Sequence, residues 1–222
     1  MLPKQKVKIR WSADFAYAIG LLVTDGNLSK DNRHISFTSK DYELIENLQI
    51  GLGINENVGK KARGGEKEKK YFVLEFSDVI FYRFLLSIGL MPAKSKILGE
   101  IAVPRLYMRD FLRGHFDGDG SFFSYFDPRW RSSFMFYTSF LSASKDHILW
   151  LQAQIQILCG VIGHITKSKT KNSVYQLKYA KTESKILIRA LYYKDNLMCL
   201  TRKQKKVINA LQFEKNLYAR VL

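Results

Sequence analysis

FLRGHFDGDGSFF, residues 111–123, decides how this 222-residue chain is read. A run of helical character ends there in Asp117-Gly118-Asp119-Gly120. Acid therefore stands at a helix C-terminus, where the backbone dipole is already negative and Lys or Arg would be favoured. The stretch has an answer earlier in the chain. LRGHFDGDG at 112–120 repeats AIGLLVTDG at 18–26, with an offset of 119 − 25 = 94 residues that also pairs Gly20 with Gly114 and Gly26 with Gly120. Further on, ISFTSKDYELIENLQIGLGI (35–54) is echoed by FLSASKDHILWLQAQIQILCGVIG (140–163), and YFVLEFSDVIFYRFLLSIGL (71–90) by VYQLKYAKTESKILIRALYY (174–193). Each copy joins alternating strands to amphipathic helices, with Asp41 and Asp146 at helix starts. The chain is thus predicted to be an α+β protein of two pseudosymmetric αββαββα repeats, residues 1–98 and 99–222. The connection falls at about 91–107, where Pro92 and Pro104 interrupt regular structure. Aligned on the Ser-Lys-Asp triplets, Asp119 to Lys145 spans 26 residues and Asp25 to Lys40 spans 15, so 26 − 15 = 11 extra residues are expected in the hairpin around Asp127-Pro128-Arg129.

The bulk composition points to a partner. Lys+Arg 36 against Asp+Glu 20 gives a formal net charge of +16, which calls for an anionic surface. The basic residues cluster on strands and loops rather than on an amphipathic helix, which favours nucleic acid over membrane. Candidates for contact with double-stranded DNA are the hairpin residues Arg33, Lys60, Arg63, Arg129, Arg131, Lys169 and Lys171, with Lys145 at a helix start. Cys159 and Cys199 are too few for a disulfide framework, and no Cys/His spacing suggests zinc. No apolar run reaches the roughly 20 residues of a membrane span, and MLPKQKVKIRW lacks a signal-peptide core. A soluble protein of a reducing, intracellular compartment is expected.

The repeated glycines carry the next step. A glycine in mid-helix costs about 1 kcal/mol relative to Ala. Gly20 and Gly114 at one point of two copied helices predict that these helices cross at close backbone approach. Their ends then emerge together, with Asp25 facing Asp119. Two close carboxylates repel unless a cation sits between them. Both carboxylates, with the main-chain carbonyls of Thr24 and Gly118, form a hard oxygen set suited to Mg²⁺. Such ions beside a phosphodiester can activate water and stabilise a leaving oxygen. Asp117 aligns with Val23 and is expected to support the site structurally. An EF-hand reading of Asp-Gly-Asp-Gly fails, because the twelfth position is Pro128. His115, in the place of Leu21, is read as an interface residue.

On AIGLLVTDG and LRGHFDGDG, and on a repeat running from about Trp11 to about Lys206, the chain resembles the LAGLIDADG homing endonucleases of the single-chain, two-repeat kind. Arg113 and His115 depart from the family's usual spelling. The resemblance implies a saddle of antiparallel ribbons over the DNA major groove and a monomer with internal pseudo-two-fold symmetry. It further implies metal-dependent double-strand cleavage of a long asymmetric target, in an organelle or a prokaryotic cytoplasm. Asp25 and Asp119 are the implied catalytic acids, one per strand, with Mg²⁺ as cofactor, Mn²⁺ substituting and Ca²⁺ binding without cleavage. By register, Ser39 and Ser144 are expected to order water and Lys178 to stand near the scissile phosphate. Glu75 occupies the place of Lys178 in the first half, so either Lys40 serves there or the two half-sites cut at different rates. The run RKQKK (202–206) is assigned to phosphate contacts. A maturase acting on its own intron RNA and a non-cleaving DNA-binding regulator are alternatives within the same fold. The presence of both aspartates favours cleavage, and no RNP-type motif supports a generic RNA-binding domain.

Overall fold

The structure is a computed structural model that describes residues 5–62, 68–130, 132–168 and 174–219. The first repeat comprises α1 (Ala13–Asp25), β1 (Gly26–Leu28), β2 (His34–Ser39), α2 (Tyr42–Leu52), β3 (Val58–Lys61), β4 (Tyr71–Ser77) and α3 (Val79–Ser87). The second comprises α4 (Met108–Asp119), β5 (Ser121–Phe126), β6 (Phe134–Ser142), α5 (Lys145–Cys159), β7 (His164–Lys167), β8 (Tyr175–Tyr179) and α6 (Lys181–Leu191). The two αββαββα units expected from the sequence are present. A further helix, α7 (Thr201–Ala219), follows the second without a counterpart after the first. Between α3 and α4 the chain forms two one-turn 3₁₀ helices, Lys94–Lys96 and Arg105–Tyr107. The sheets have the orders β1-β2-β4-β3 and β5-β6-β8-β7, antiparallel throughout.

Strand register corrects one alignment. Phe37 pairs with Leu74 and Phe140 with Leu177, so the sheets are related by 140 − 37 = 103 and 177 − 74 = 103 residues. Against the helix offset of 94, the second hairpin gains 103 − 94 = 9 residues rather than 11. Ser39 corresponds to Ser142, not to Ser144. Both hydroxyls accept from the N–H two residues on, Asp41 at 3.0 Å and Ser144 at 3.1 Å. Ser144 answers Asp41, each being the N-cap of its helix. The Ser-Lys-Asp triplets look alike, but the cap sets where each helix begins, and it falls at a different point of each triplet. Glu75 and Lys178, 178 − 75 = 103 apart, remain true equivalents.

Side-chain alternation gives each sheet two unlike faces. Ile35, Phe37, Leu74 and Phe76 of the first sheet, and Phe136, Phe140, Leu177 and Tyr179 of the second, are buried beneath the helices. The opposite face of the first carries Asn27, Ser36, Thr38, Val73 and Glu75, and that of the second Ser121, Phe123, Tyr137, Ser139 and Lys178.

The two halves meet through α1 and α4. A methyl group on Gly20 would strike the Phe111 carbonyl oxygen and lie 2.7 Å from the His115 nitrogen; one on Gly114 would strike the Tyr17 carbonyl. The obstacles are main-chain atoms, so no rotamer change relieves them. The contact continues to the helix ends, where Gly118 lies against the Thr24 side chain. Gly114→Ala is expected to destabilise the fold by about 3 kcal/mol, because overpacking against backbone forces the helices apart. Urea denaturation checks this, and Gly20→Ala should behave alike.

Candidate active site

Asp25 and Asp119 are the last residues of α1 and α4, each followed by a glycine that turns the chain straight into a strand. Asp25 is half-buried and Asp119 exposed. Even so, the protein packed around Asp119 displaces enough water to raise its pKa, while Lys203 and Lys94 pull it back down. These two lysines are the cations the sequence reading missed. Lys94 opens the first 3₁₀ turn and donates to the Gly26 carbonyl at the end of α1. Burial pushes it down to about 8, with Asp25 and Asp119 acting in the opposite direction. Lys203, in the first turn of α7, donates to the carbonyls of Phe116 (2.7 Å), Asp117 (2.8 Å), Gly118 (3.3 Å) and Gly120 (2.6 Å). Burial likewise pushes it down to about 8, against the pull of Asp117, Asp119 and Asp25. Gly26 and Gly120 are equivalent residues, so the lysines are pseudosymmetric. Each places an ammonium at the C-terminal end of its own motif helix, which offsets both the dipole and the adjacent acid.

Other unusual residues of the second motif hold Lys203 in place. Asp117 is fully buried, and its Oδ2 accepts from the Tyr17 hydroxyl (2.7 Å) and from the Leu200 N–H (2.6 Å). It therefore ties α1, α4 and the approach to α7 together, the supporting role expected of it. Desolvation raises it to about 6 despite those donors and the nearby Lys203 and Arg113. Arg113, also fully buried, pairs with Asp110 at 2.9 Å and donates to the carbonyls of Met198 (2.8 Å) and Leu191 (3.1 Å). From the first half, Glu43 accepts from the Thr201 N–H, Asp41 pairs with Arg202 at 2.6 Å, and Asn47 donates to the Cys199 carbonyl at 3.0 Å. The RKQKK run is thus anchored at its start across both halves, and its first lysine, Lys203, faces inward onto helix-end carbonyls instead of onto a phosphate backbone.

The remaining candidates are dispersed. Lys178 lies on the open sheet face with its ammonium 3.8 Å from the Tyr137 ring centroid and 5.2 Å from that of Phe123. The cations acting on Asp119 are Lys203 and Lys94. Ser144 is buried, its hydroxyl 2.5 Å from the Leu98 carbonyl and accepting from the His147 N–H, so it is committed to capping. Lys40 stands 5.0 Å from the Tyr71 ring. Lys60 pairs with Phe72 on the helix-side face of edge strand β3, 5.2 Å from that ring, and so does not point toward the open face. Arg33 and Arg129 sit at hairpin turns beside Asp31 (3.5 Å) and Asp127 (3.2 Å). Lys145 is exposed at the first position of α5. Arg63, Arg131, Lys169 and Lys171 lie outside the described residues.

A cavity of about 510 Å³ beside Asp25 is lined also by Thr38, Lys61 and Lys94, and one of about 270 Å³ beside Asp119 by Thr24, Lys94, His115 and His147. His147 Nδ1 donates to the Gly99 carbonyl at 2.7 Å, which leaves its Nε2 to accept from His115 Nε2 at 3.1 Å. Burial pushes His147 down to about 4 and His115 well below its ordinary value, so the pair is neutral packing. Among the described residues no group of three or more His, Cys, Asp or Glu side chains is placed to hold a metal. The donors at the site are two carboxylates and the helix-end carbonyls, that of Gly118 already shared with Lys203. The Thr24 hydroxyl donates to the Leu21 carbonyl at 2.8 Å, so its own carbonyl is what it offers. Hard oxygens alone fit Mg²⁺ and not zinc.

A family model described as a LAGLIDADG-like domain matches residues 12–89. No curated protein sequence matches the chain. Among solved structures, the I-LtrWI LAGLIDADG homing endonuclease bound to target DNA superposes with a TM-score of 0.61 at 12% identity, over 92% of each chain. I-GzeII in complex with its DNA target gives 0.60 at 12% identity, over 95% of this chain and 96% of that one. The N-terminal LAGLIDADG domain of DUF199/WhiA gives 0.53 at 14% identity, over 84% and 85%. The chain thus has the LAGLIDADG homing-endonuclease fold along nearly its whole length, in the two-repeat arrangement. Among the described residues no helix is long and apolar enough to cross a membrane.

The raised pKa of Asp117 gives a stability prediction. The folded state holds that proton more tightly than the unfolded chain, so this contribution is greatest below pH 4 and is lost as pH rises from about 4 to about 6. The stability of the parent minus that of Asp117→Asn should fall across that window by on the order of 3 kcal/mol at most. Denaturant titrations at several pH values measure it.

Proposed function

We propose that this chain is a site-specific DNA endonuclease that cuts both strands of a long asymmetric duplex with the help of Mg²⁺. One observation carries the reading: Asp25 and Asp119 end two copied helices that cross at Gly20 and Gly114, and Lys94 and Lys203 each lie within electrostatic reach of both carboxylates, in a chain of charge +16. The face of each sheet away from the helices is the surface that takes DNA, since a two-stranded ribbon fits the major groove. This orientation sets the helix ends and their carboxylates toward the phosphates.

In this reading Asp25 and Asp119, with the main-chain carbonyls of Thr24 and Gly118, would hold the ion. When bound, it supplies a more acidic water and an offset for charge on the phosphate oxygens. The chain's own groups do the rest. The two carboxylates orient water, each toward one strand. Lys94 and Lys203 present ammonium groups fixed by helix-end carbonyls, and a preorganised cation in a partly desolvated site stabilises charge that develops in the transition state. Both half-sites come from one chain, so it acts as a monomer. The WhiA match supports a regulator only as a fold. Nothing in the site favours that reading, because both carboxylates and both lysines are in place.

Cleaved sites selected from a randomised duplex library with Mg²⁺ test the proposal. The parent should yield a defined double-strand cut. Asp25→Asn and Asp119→Asn should abolish it, and Lys94→Met and Lys203→Met should each slow it by about 100-fold while leaving DNA retention in gel shifts intact. Cutting that survived Asp119→Asn, or a parent that retained DNA without cutting, overturns the mechanism.

A further inference from the structure

Directly beyond each catalytic aspartate, a row of residues crosses the open face of its sheet. In the first half Asn27 pairs with Ser36, and Ser36 with Glu75. In the second, Ser121 pairs with Ser139, Ser139 with Lys178, and Lys178 with His164. Asn27 and Ser121 each stand two residues after their aspartate, so the rows occupy the same place in the two halves. They match in hydroxyl content at the second strand and differ in charge at the third.

Glu75 is exposed and lines a hollow of about 180 Å³ with Asn27, Ser29, His34 and Ser36. An acid on a surface that meets DNA is repelled by the phosphates. What it can contact favourably is a donor on a base edge, and in the major groove a carboxylate matches the cytosine amino group. Lys178 is half-buried, with the rings of Tyr137 and Phe123 beside its ammonium. That aromatic shelf limits where a flexible side chain can go. Its donors match the O6 and N7 acceptors of guanine.

We propose that Glu75 and Lys178 set the asymmetry of the target: Glu75 selects cytosine in one half-site and Lys178 selects guanine at the two-fold-related base pair of the other. A perfect inverted repeat offers the same base to both positions. One of the two side chains then meets the wrong polarity, so the chain disfavours palindromes at that pair. This inference rests on the reading of the open face as the DNA surface.

The test is selection of bound duplexes from a randomised library without divalent metal, using the parent, Glu75→Gln and Glu75→Lys, with circular dichroism confirming that each is folded. The parent should enrich cytosine at one position and guanine at its two-fold mate, by about ten-fold or more over the other bases. Glu75→Gln should relax the cytosine preference and leave the other half-site unchanged. Glu75→Lys, which makes the rows alike, should convert that pair of positions into an inverted repeat. Folded variants that keep the parent's preference at every position overturn the assignment of Glu75 and leave DNA binding standing. A parent that enriches no sequence overturns both the assignment and the DNA reading on which it rests.

Discussion

Main-chain contact between α1 and α4 at Gly20 and Gly114 is the constraint from which the rest follows. Without a Cβ at either position the helix backbones touch, and the contact runs to their ends at Thr24 and Gly118. Two acids are thereby brought to one place, and each helix ends with its negative pole there. The arrangement is electrostatically unfavourable until cations are added. Lys94 and Lys203 supply them from the segments that follow the third helix of each half.

The second lysine shows how far that requirement reaches into the sequence. Lys203 reaches the carbonyls of α4 only because the start of α7 is pinned. Asp117 takes the Leu200 N–H, Arg113 takes the Met198 carbonyl, and Asp41 and Glu43 hold Arg202 and Thr201 from the other half. Arg113 and Asp117 stand on the motif helix itself. A buried, paired guanidinium and a buried carboxylate are costly, and removing either partner leaves an uncompensated group. They look out of place in the motif and are explained by what they position outside it.

Much of the fold was legible because it is doubled. Two copies of helix, hairpin, helix, hairpin, helix gave the architecture, and the paired glycines gave the helix crossing. Asp117 was set aside correctly because nothing answered it. The site was legible only in its acids. Lys178 was chosen for its central strand, yet its ammonium lies over Tyr137. Lys94 sits in a stretch read as linker, and Lys203 in a basic run read as phosphate contacts. Leu-Met stands at 90–91 and again at 197–198, three and five residues before these lysines, and is the one local signal that could have paired them.

The sequence by itself determined the repeat, the period of its strands and helices, the glycines and the two acids, since these are local patterns that recur at a fixed offset. Register and cation placement were decided by tertiary structure. A one-residue slip in a strand turns a side chain to the other face, which is why Lys60 faces the helix side and Glu75 the open side. A lysine's role depends on what surrounds its ammonium, and Lys203 is surrounded by carbonyls that lie more than 80 positions away in the chain.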